Sequence, residues 1–264
     1  MTDLKNVTAG TNHRPLQRSK MGVLIAEAIA EHILEAGLKP GTVLPTESRM
    51  VEQYGVGRAT VREALRLLEL QGLVDVRPGP NGGPVVQEPE PYHVAQLLSI
   101  MFSVSGASFS DVIETRLILE PELASRAAVN ATDTEIQELA DIVSLQHREI
   151  TDEREFLRLN SEFHTLIAQA SRNHVLATFQ AAIRKLEVGQ QIGVHIHPDS
   201  RKGTCRAHER IVTAIQGRDE ARATSAMRAH MEAFAEYLAR EYPTAMRTPI
   251  RMLLRSRVGA EVLP

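Results

Sequence analysis

The stretch from Leu44 to Val86 constrains the chain most, because its pattern changes period several times within a short span. Glu47 to Gln53 reads as a short helix with Thr46 as its N-cap. Gly55 stands where that helix must end, inside the turn Tyr54-Gly55-Val56-Gly57. Arg58 to Leu70 reads as a second helix. Val61, Ala64, Leu65 and Leu68 recur at i, i+3, i+4 and i+7 and form one apolar stripe. Arg58, Arg62 and Arg66, spaced by four, share a different face. Gly72 stops this helix, and two β-prone runs, Leu73–Arg77 and Pro84–Val86, flank a Pro/Gly/Asn turn. Helix, tight turn, helix with an arginine face, then hairpin is the order of a winged helix-turn-helix. Its second helix has the size to enter a DNA major groove.

The charge balance bears on that reading. The net charge is −3, and residues 1–87 carry 10 basic against 9 acidic side chains. DNA binding must therefore come from placed arginines and not from bulk charge. A length of 264 residues predicts two domains, and 43% hydrophobic content supports real cores. We read residues 1–19 as a flexible arm, 20–88 as the winged helix-turn-helix, 89–242 as an all-α domain and 243–264 as a mobile tail. Arg14, Arg18 and Lys20 read as part of a solvated arm, with phosphate contact as the alternative. No apolar run approaches the ~18 residues of a membrane span, and the N-terminus lacks an apolar signal core. The expectation is a cytoplasmic protein with no membrane partner. A single cysteine, Cys205, excludes a disulfide framework and a Cys-rich zinc site.

Along the chain, Met21–Ala36 reads as an amphipathic helix with Val23, Leu24, Ala28, Ile33 and Leu34 near one side. Gln87–Tyr92, with Pro89 and Pro91, reads as a linker. Strands then vanish. Ala95–Val104 is an apolar helix, and Ser110 would cap a long one running to Val129. Thr132 and Glu135 form a capping box for the next. Four further helices follow, starting near Asp152, Val175, Ser200 and Asp219. The fold expected is mainly α: an N-terminal winged helix-turn-helix with a small β-hairpin wing, then a C-terminal helical bundle of about seven helices.

Within that bundle, polar residues occupy apolar positions. Asn160 and His164 lie one turn apart on the side marked by Phe156, Phe163 and Ile167. His208 precedes Ile211, Val212 and Ile215 at i+3, i+4 and i+7, and His230 falls among Ala223, Met227, Phe234 and Leu238. A lone histidine on such a face is usually a hydrogen-bonded core residue. Three on three helices each need a partner if buried separately, whereas one shared metal satisfies all three. Arg116 shares an inward face with Ile113, Leu117 and Glu120. It suits a carboxylate clamp, and an internal ion pair with Glu120 is the alternative. His174, His195 and His197 fall in or beside loops and read as surface residues.

The N-terminal segment resembles the GntR family of bacterial transcription regulators. The matching residues are Leu44-Pro45-Thr46-Glu47, Gly55-Val56-Gly57-Arg58, Val61-Arg62-Glu63-Ala64-Leu65, Leu68-Glu69 and Gly72-Leu73-Val74. Ser48 stands where the family commonly has arginine, with Arg49 next, and Gly57 replaces the usual Ser or Thr. The resemblance implies DNA contacts from Arg49, Arg58, Thr60, Arg62 and Arg66, with Asn81 and Gly82 in the wing turn. The second half is similar to the FCD ligand-binding domain of the FadR subfamily. This match rests on Glu114-x-Arg116, Glu120-Pro121, Phe163-His164, Asn173, Ala207-His208-x-x-Ile211, Ala214-Ile215 and Met227-x-x-His230.

In many members of that subfamily an aspartate four residues before the first histidine, together with three histidines, ligates a divalent metal. The corresponding positions here are Asn160, His164, His208 and His230, with asparagine in place of aspartate. The resemblance therefore implies a divalent ion of the Zn, Ni or Mn class and a small carboxylate effector, with Arg116 and Asn173 in its site. It also implies a homodimer on palindromic double-stranded DNA half-sites, acting as a metabolite-controlled repressor and not as an enzyme. Two rival functions are a metal-dependent hydrolase using the three histidines and a repressor that senses metal alone. Against the hydrolase, no acidic residue sits at HExxH-type spacing.

Overall fold

A computed structural model describes residues 14–79, 82–189 and 195–251, and the chain divides into two compact units between His93 and Val94. The first unit holds α1 (Arg14–Glu35), α2 (Glu47–Tyr54), α3 (Arg58–Leu70), β1 (Val74–Arg77) and β2 (Gly83–Val86). Helix α1 begins at Arg14, inside the stretch expected to be an arm. Its buried row is Ile25, Ala26, Ile29 and Ile33, while Leu24 and Leu34 are exposed. Isoleucines spaced by four stack along one side of a helix, and that row wins over the offset leucines.

Thr46 caps α2, accepting from the Arg49 backbone N–H, and Gly55 ends it with a φ of 63°. Gly57 starts α3 with no side-chain cap. Val61, Ala64, Leu65 and Leu68 are buried as their spacing predicts, against Ile29, Leu44 and Met50. Strands β1 and β2 pair antiparallel, from Val74 opposite Val86 to Arg77 opposite Gly83, and Val43 adds one bridge to Val85. At the wing, a Cβ on Gly82 would lie 2.2 Å from the Arg77 carbonyl oxygen, so only glycine fits.

The second unit takes up α4 (Pro91–Ser105) from Val94 onward, then α5 (Phe109–Asn130), α6 (Asp133–Arg148), α7 (Glu153–Ala170), α8 (His174–Gly189), α9 (Pro198–Gln216), α10 (Glu220–Glu241) and the short α11 (Pro243–Met246). Helix α4 starts inside the expected linker, because Pro91 is tolerated in a first turn that needs no N–H partner. The α5 cap is Ser108 and not Ser110: Ser108 and Asp111 form a reciprocal capping box. Thr132 and Glu135 form the expected box on α6.

One apolar cluster joins Leu123, Leu139, Phe163, Ile167, Ile211 and Met227; another joins Phe109, Ile113, Ile183, Leu186, Leu238 and Ile250. Arg172 and Arg218, at φ of 58° and 55°, follow α7 and α9. Their strained backbones are held by ion pairs to Glu135 and Asp133 in the first turn of α6.

The segment after Pro243, expected to be mobile, is docked as far as Ile250. The Phe109 N–H donates to the Thr248 carbonyl at 3.1 Å, and Ile250 donates to Ala107 at 2.8 Å. The Ile250 side chain, 2% exposed, supplies the apolar anchor. Arg255 and Arg257 lie outside the described residues.

Candidate functional site

His164 on α7, His208 on α9 and His230 on α10 are all buried in the second unit. Each interrupts an apolar helix face, so packing that face carries the imidazole inward. The rings converge. Nε2 of His208 stands 3.3 Å from Nε2 of His230, which stands 3.4 Å from Nε2 of His164. Phe163 stacks on the His208 ring with centroids 3.9 Å apart.

The far sides of two rings are fixed from behind. Glu120 Oε2 on α5 meets His164 Nδ1, and Gln146 Oε1 on α6 lies 2.8 Å from His208 Nδ1. An ionised carboxylate and an amide oxygen only accept, so both histidines carry their proton on Nδ1. Their Nε2 lone pairs then face the centre. A neutral His230 has at most one Nε2–H and can answer only one of them. A shared cation resolves this conflict.

The electrostatics favour the same state. Burial pushes His208 and His230 well below the ordinary imidazole range, and neighbouring positive groups push further. Burial also lowers His164, with Glu120 pulling the other way. Glu120 itself would be raised by its burial, but Arg116 and His164 outweigh that and hold it well below the usual carboxylate range. The centre is thus three neutral imidazoles backed by a carboxylate.

These residues fit a divalent ion. Two nitrogens each about 2.0–2.1 Å from a tetrahedral ion lie roughly 3.4 Å apart, the spacing of the paired Nε2 atoms. The donor atoms of all three histidines fall within 4.8 Å of one another. A carboxylate behind a ligating histidine is the usual device for aiming its ring. Asn160, half-buried, stands one turn before His164 on the same helix. A cleft of about 530 Å³ between α9 and α10 reaches His230 and is rimmed by Arg206, Arg210 and Arg240.

Arg116, 2% exposed, makes the internal ion pair: its Nε lies 2.6 Å from Glu120 Oε1. Through Glu120 it is one residue removed from His164. Asn173 caps α8, its Oδ1 accepting from the Leu176 N–H at 3.0 Å. Sequence reasoning missed the grip of Glu120 on His164, and it missed Gln146 and Arg184. Arg184 on α8 is 6% exposed, and its charge acts on Glu120 and on all three histidines. A signal existed for Gln146, which continues the buried row of Leu139, Ile142 and Val143 on α6. His174 at the start of α8, and His195 and His197 just before α9, are exposed.

In the first unit Arg49, Arg58, Arg62 and Arg66 are exposed. Arg62 Nε pairs with Glu47 Oε2 at 2.8 Å. Thr60 is 8% exposed. Gly82 sits at the wing tip, and Asn81 lies outside the described residues. Among the described residues no helix is long and apolar enough to cross a membrane.

Comparison with known proteins agrees with both halves. The family model for bacterial regulatory proteins of the gntR family matches residues 23–81, and the FCD domain model matches residues 111–233. The Uxu operon regulator of Haemophilus influenzae is 28% identical over 219 residues, covering 81% of this chain and 79% of that protein. The HTH-type transcriptional repressor NanR of Cronobacter sakazakii is 28% identical over 235 residues, covering 86% and 88%. A solved structure, Streptococcus agalactiae GntR, superposes with a TM-score of 0.69 at 25% identity, covering 82% of this chain and 99% of that one. These relatives are regulators, which removes the hydrolase. With a helix-turn-helix and hairpin in one unit and a helical domain in the other, the chain is a DNA-binding transcription regulator of the GntR family, carrying a C-terminal FCD domain.

Proposed function

We propose that the protein is a repressor of the FadR type that holds a palindromic operator as a homodimer and releases it when a small carboxylate binds. The carboxylate would bind at a divalent ion held by His164, His208 and His230, with Asn160 as a fourth donor. One observation carries the reading: three buried imidazoles aim Nε2 atoms at a common point with ion-like spacing, two of them locked by Glu120 and Gln146. Three neutral nitrogens and one amide oxygen leave the ion's charge uncompensated, and Arg116 and Arg184 add two positive charges against Glu120. An anion is what such a centre lacks, which favours an acid effector over sensing of metal alone. Repression is supported by relatives bearing that description. The dimer is supported by DNA geometry, since one winged domain reads only a half-site. The role places the protein with DNA in the cytoplasm.

The test is elemental analysis of protein purified without a histidine tag, followed by operator titration with and without a chelator. About one ion per chain is expected, with acid-induced release of DNA lost on chelation. A metal content far below one ion per chain, with a release that chelation leaves intact, would refute the metal site.

A further inference from the structure

Helix α4 carries an apolar face that stays exposed. Leu97, Ile100, Met101 and Val104 recur at i, i+3, i+4 and i+7 and form one stripe on it. All four are exposed, Met101 at 58% and Val104 at 86%. The opposite side, with Val94, Leu98 and Phe102, packs beside buried Ala95 into the core of the helical unit. No Asp, Glu, Lys or Arg stands between Glu90 and Asp111, so the segment has no charged side chain of its own to cover the stripe. Single apolar residues on a surface need no explanation, but a contiguous row in an uncharged segment marks a docking surface.

The chain itself leaves the described region at that row. The Ser103 hydroxyl donates to the Ile250 carbonyl at 2.8 Å. Ser103 lies on α4 one turn after Ile100, along the edge of the stripe. Pro249 bridges antiparallel to Ser108, and buried Ile250 joins the cluster of Leu98 and Phe102. Arg251 is exposed, and the sequence continues with Met252, Leu253 and Leu254, an apolar run closed by Arg255. Residues 252–264 lie outside those described. From Leu97 to Val104 the helix rises roughly 10 Å, which three extended residues can span. We propose that this face is a docking site for the chain's own C-terminal segment, with Met252, Leu253 and Leu254 seated over the stripe. Arg251 alone separates the anchored Ile250 from the apolar run. So short a tether gives the run a local concentration at the face that a free partner does not reach.

The test uses Met101 as a built-in probe, because a covered methionine is oxidised by peroxide more slowly than an exposed one. The full-length protein is treated with dilute hydrogen peroxide, and sulfoxide formation at each methionine is followed by peptide mass spectrometry. Met21, 42% exposed in the first unit, is the internal reference. Met101 should oxidise several-fold more slowly than Met21 in the full-length chain, although the described residues leave it the more exposed of the two. A chain ending at Arg251 should lose that protection, with Met21 unchanged. Leu253→Asp combined with Leu254→Asp in the full-length chain should do the same, and serves if the shortened chain does not fold. Fast oxidation of Met101 in all of these proteins means a bare face and overturns the proposal. Slow oxidation that survives in the variants means another occupant, a second copy of the chain if the rate falls with protein concentration, and overturns it as well.

Discussion

Glu120 ties the two charged features of the helical domain together: one oxygen faces Arg116 and the other faces His164. Its charge is taken up by both, so the three imidazoles and the amide proposed around the ion remain neutral. This makes Asn160 the residue at which the balance can be changed. Asn160→Asp should add an anionic donor and tighten metal binding, read by competition with a chelating dye. The same change should weaken carboxylate binding, because part of the ion's charge is then already met. Tighter metal with an equally tight acid would argue that the acid does not sit at the ion. The three histidines were legible in the sequence because each breaks a run of apolar residues. Glu120 was legible only as a partner for Arg116, four residues away on the same helix. Its second contact, to His164, depends on how α5 meets α7, and no spacing along one helix encodes that. Gln146 and Arg184 also sit at inward positions, but the sequence does not say which inward polar residues share a cavity.

Among the elements, α3 was read most completely from its pattern, since its four buried apolar residues and its exposed arginines both follow the 3.6-residue period. Boundaries fared less well. Two serines competed to cap α5, and the winner was the one with an acid three residues on. Helix α1 includes the polar stretch Arg14–Lys20, with Pro15 tolerated in its first turn. The exposed N-terminal arginines of α3 carry the prediction at this scale. Arg58→Ala should cost about 1–3 kcal/mol of operator affinity, measured by fluorescence anisotropy at fixed salt. Arg62→Ala should also weaken binding, while melting barely changes, because its exposed pair with Glu47 adds little stability. Affinities within twofold of wild type for both variants would remove α3 from the role assigned to it.

For the whole molecule, the buried centre sets a pH dependence. An unfolded histidine titrates near about 6.5, whereas His208 and His230 resist protonation to well below their ordinary range. As pH falls below that unfolded value, the unfolded chain takes up protons that the native state refuses, and stability drops. Glu120, held low by Arg116 and His164, adds a second loss at more acidic pH, where the native state must finally accept its proton. Calorimetry on chelator-treated protein should show the melting temperature falling from neutral pH towards pH ~5. A level or rising profile would contradict neutral buried histidines. The docking of Ile250 also bears on how the molecule is made. Ser103 and Ile250 meet across 147 positions of chain. On the ribosome the DNA-binding unit is complete once His93 has emerged, whereas the start of α5 waits for residue 250. Synthesis thus delivers the helix-turn-helix unit before the helical unit, and translation that stops short of Ile250 releases a chain whose first unit is whole and whose helical unit is unclasped.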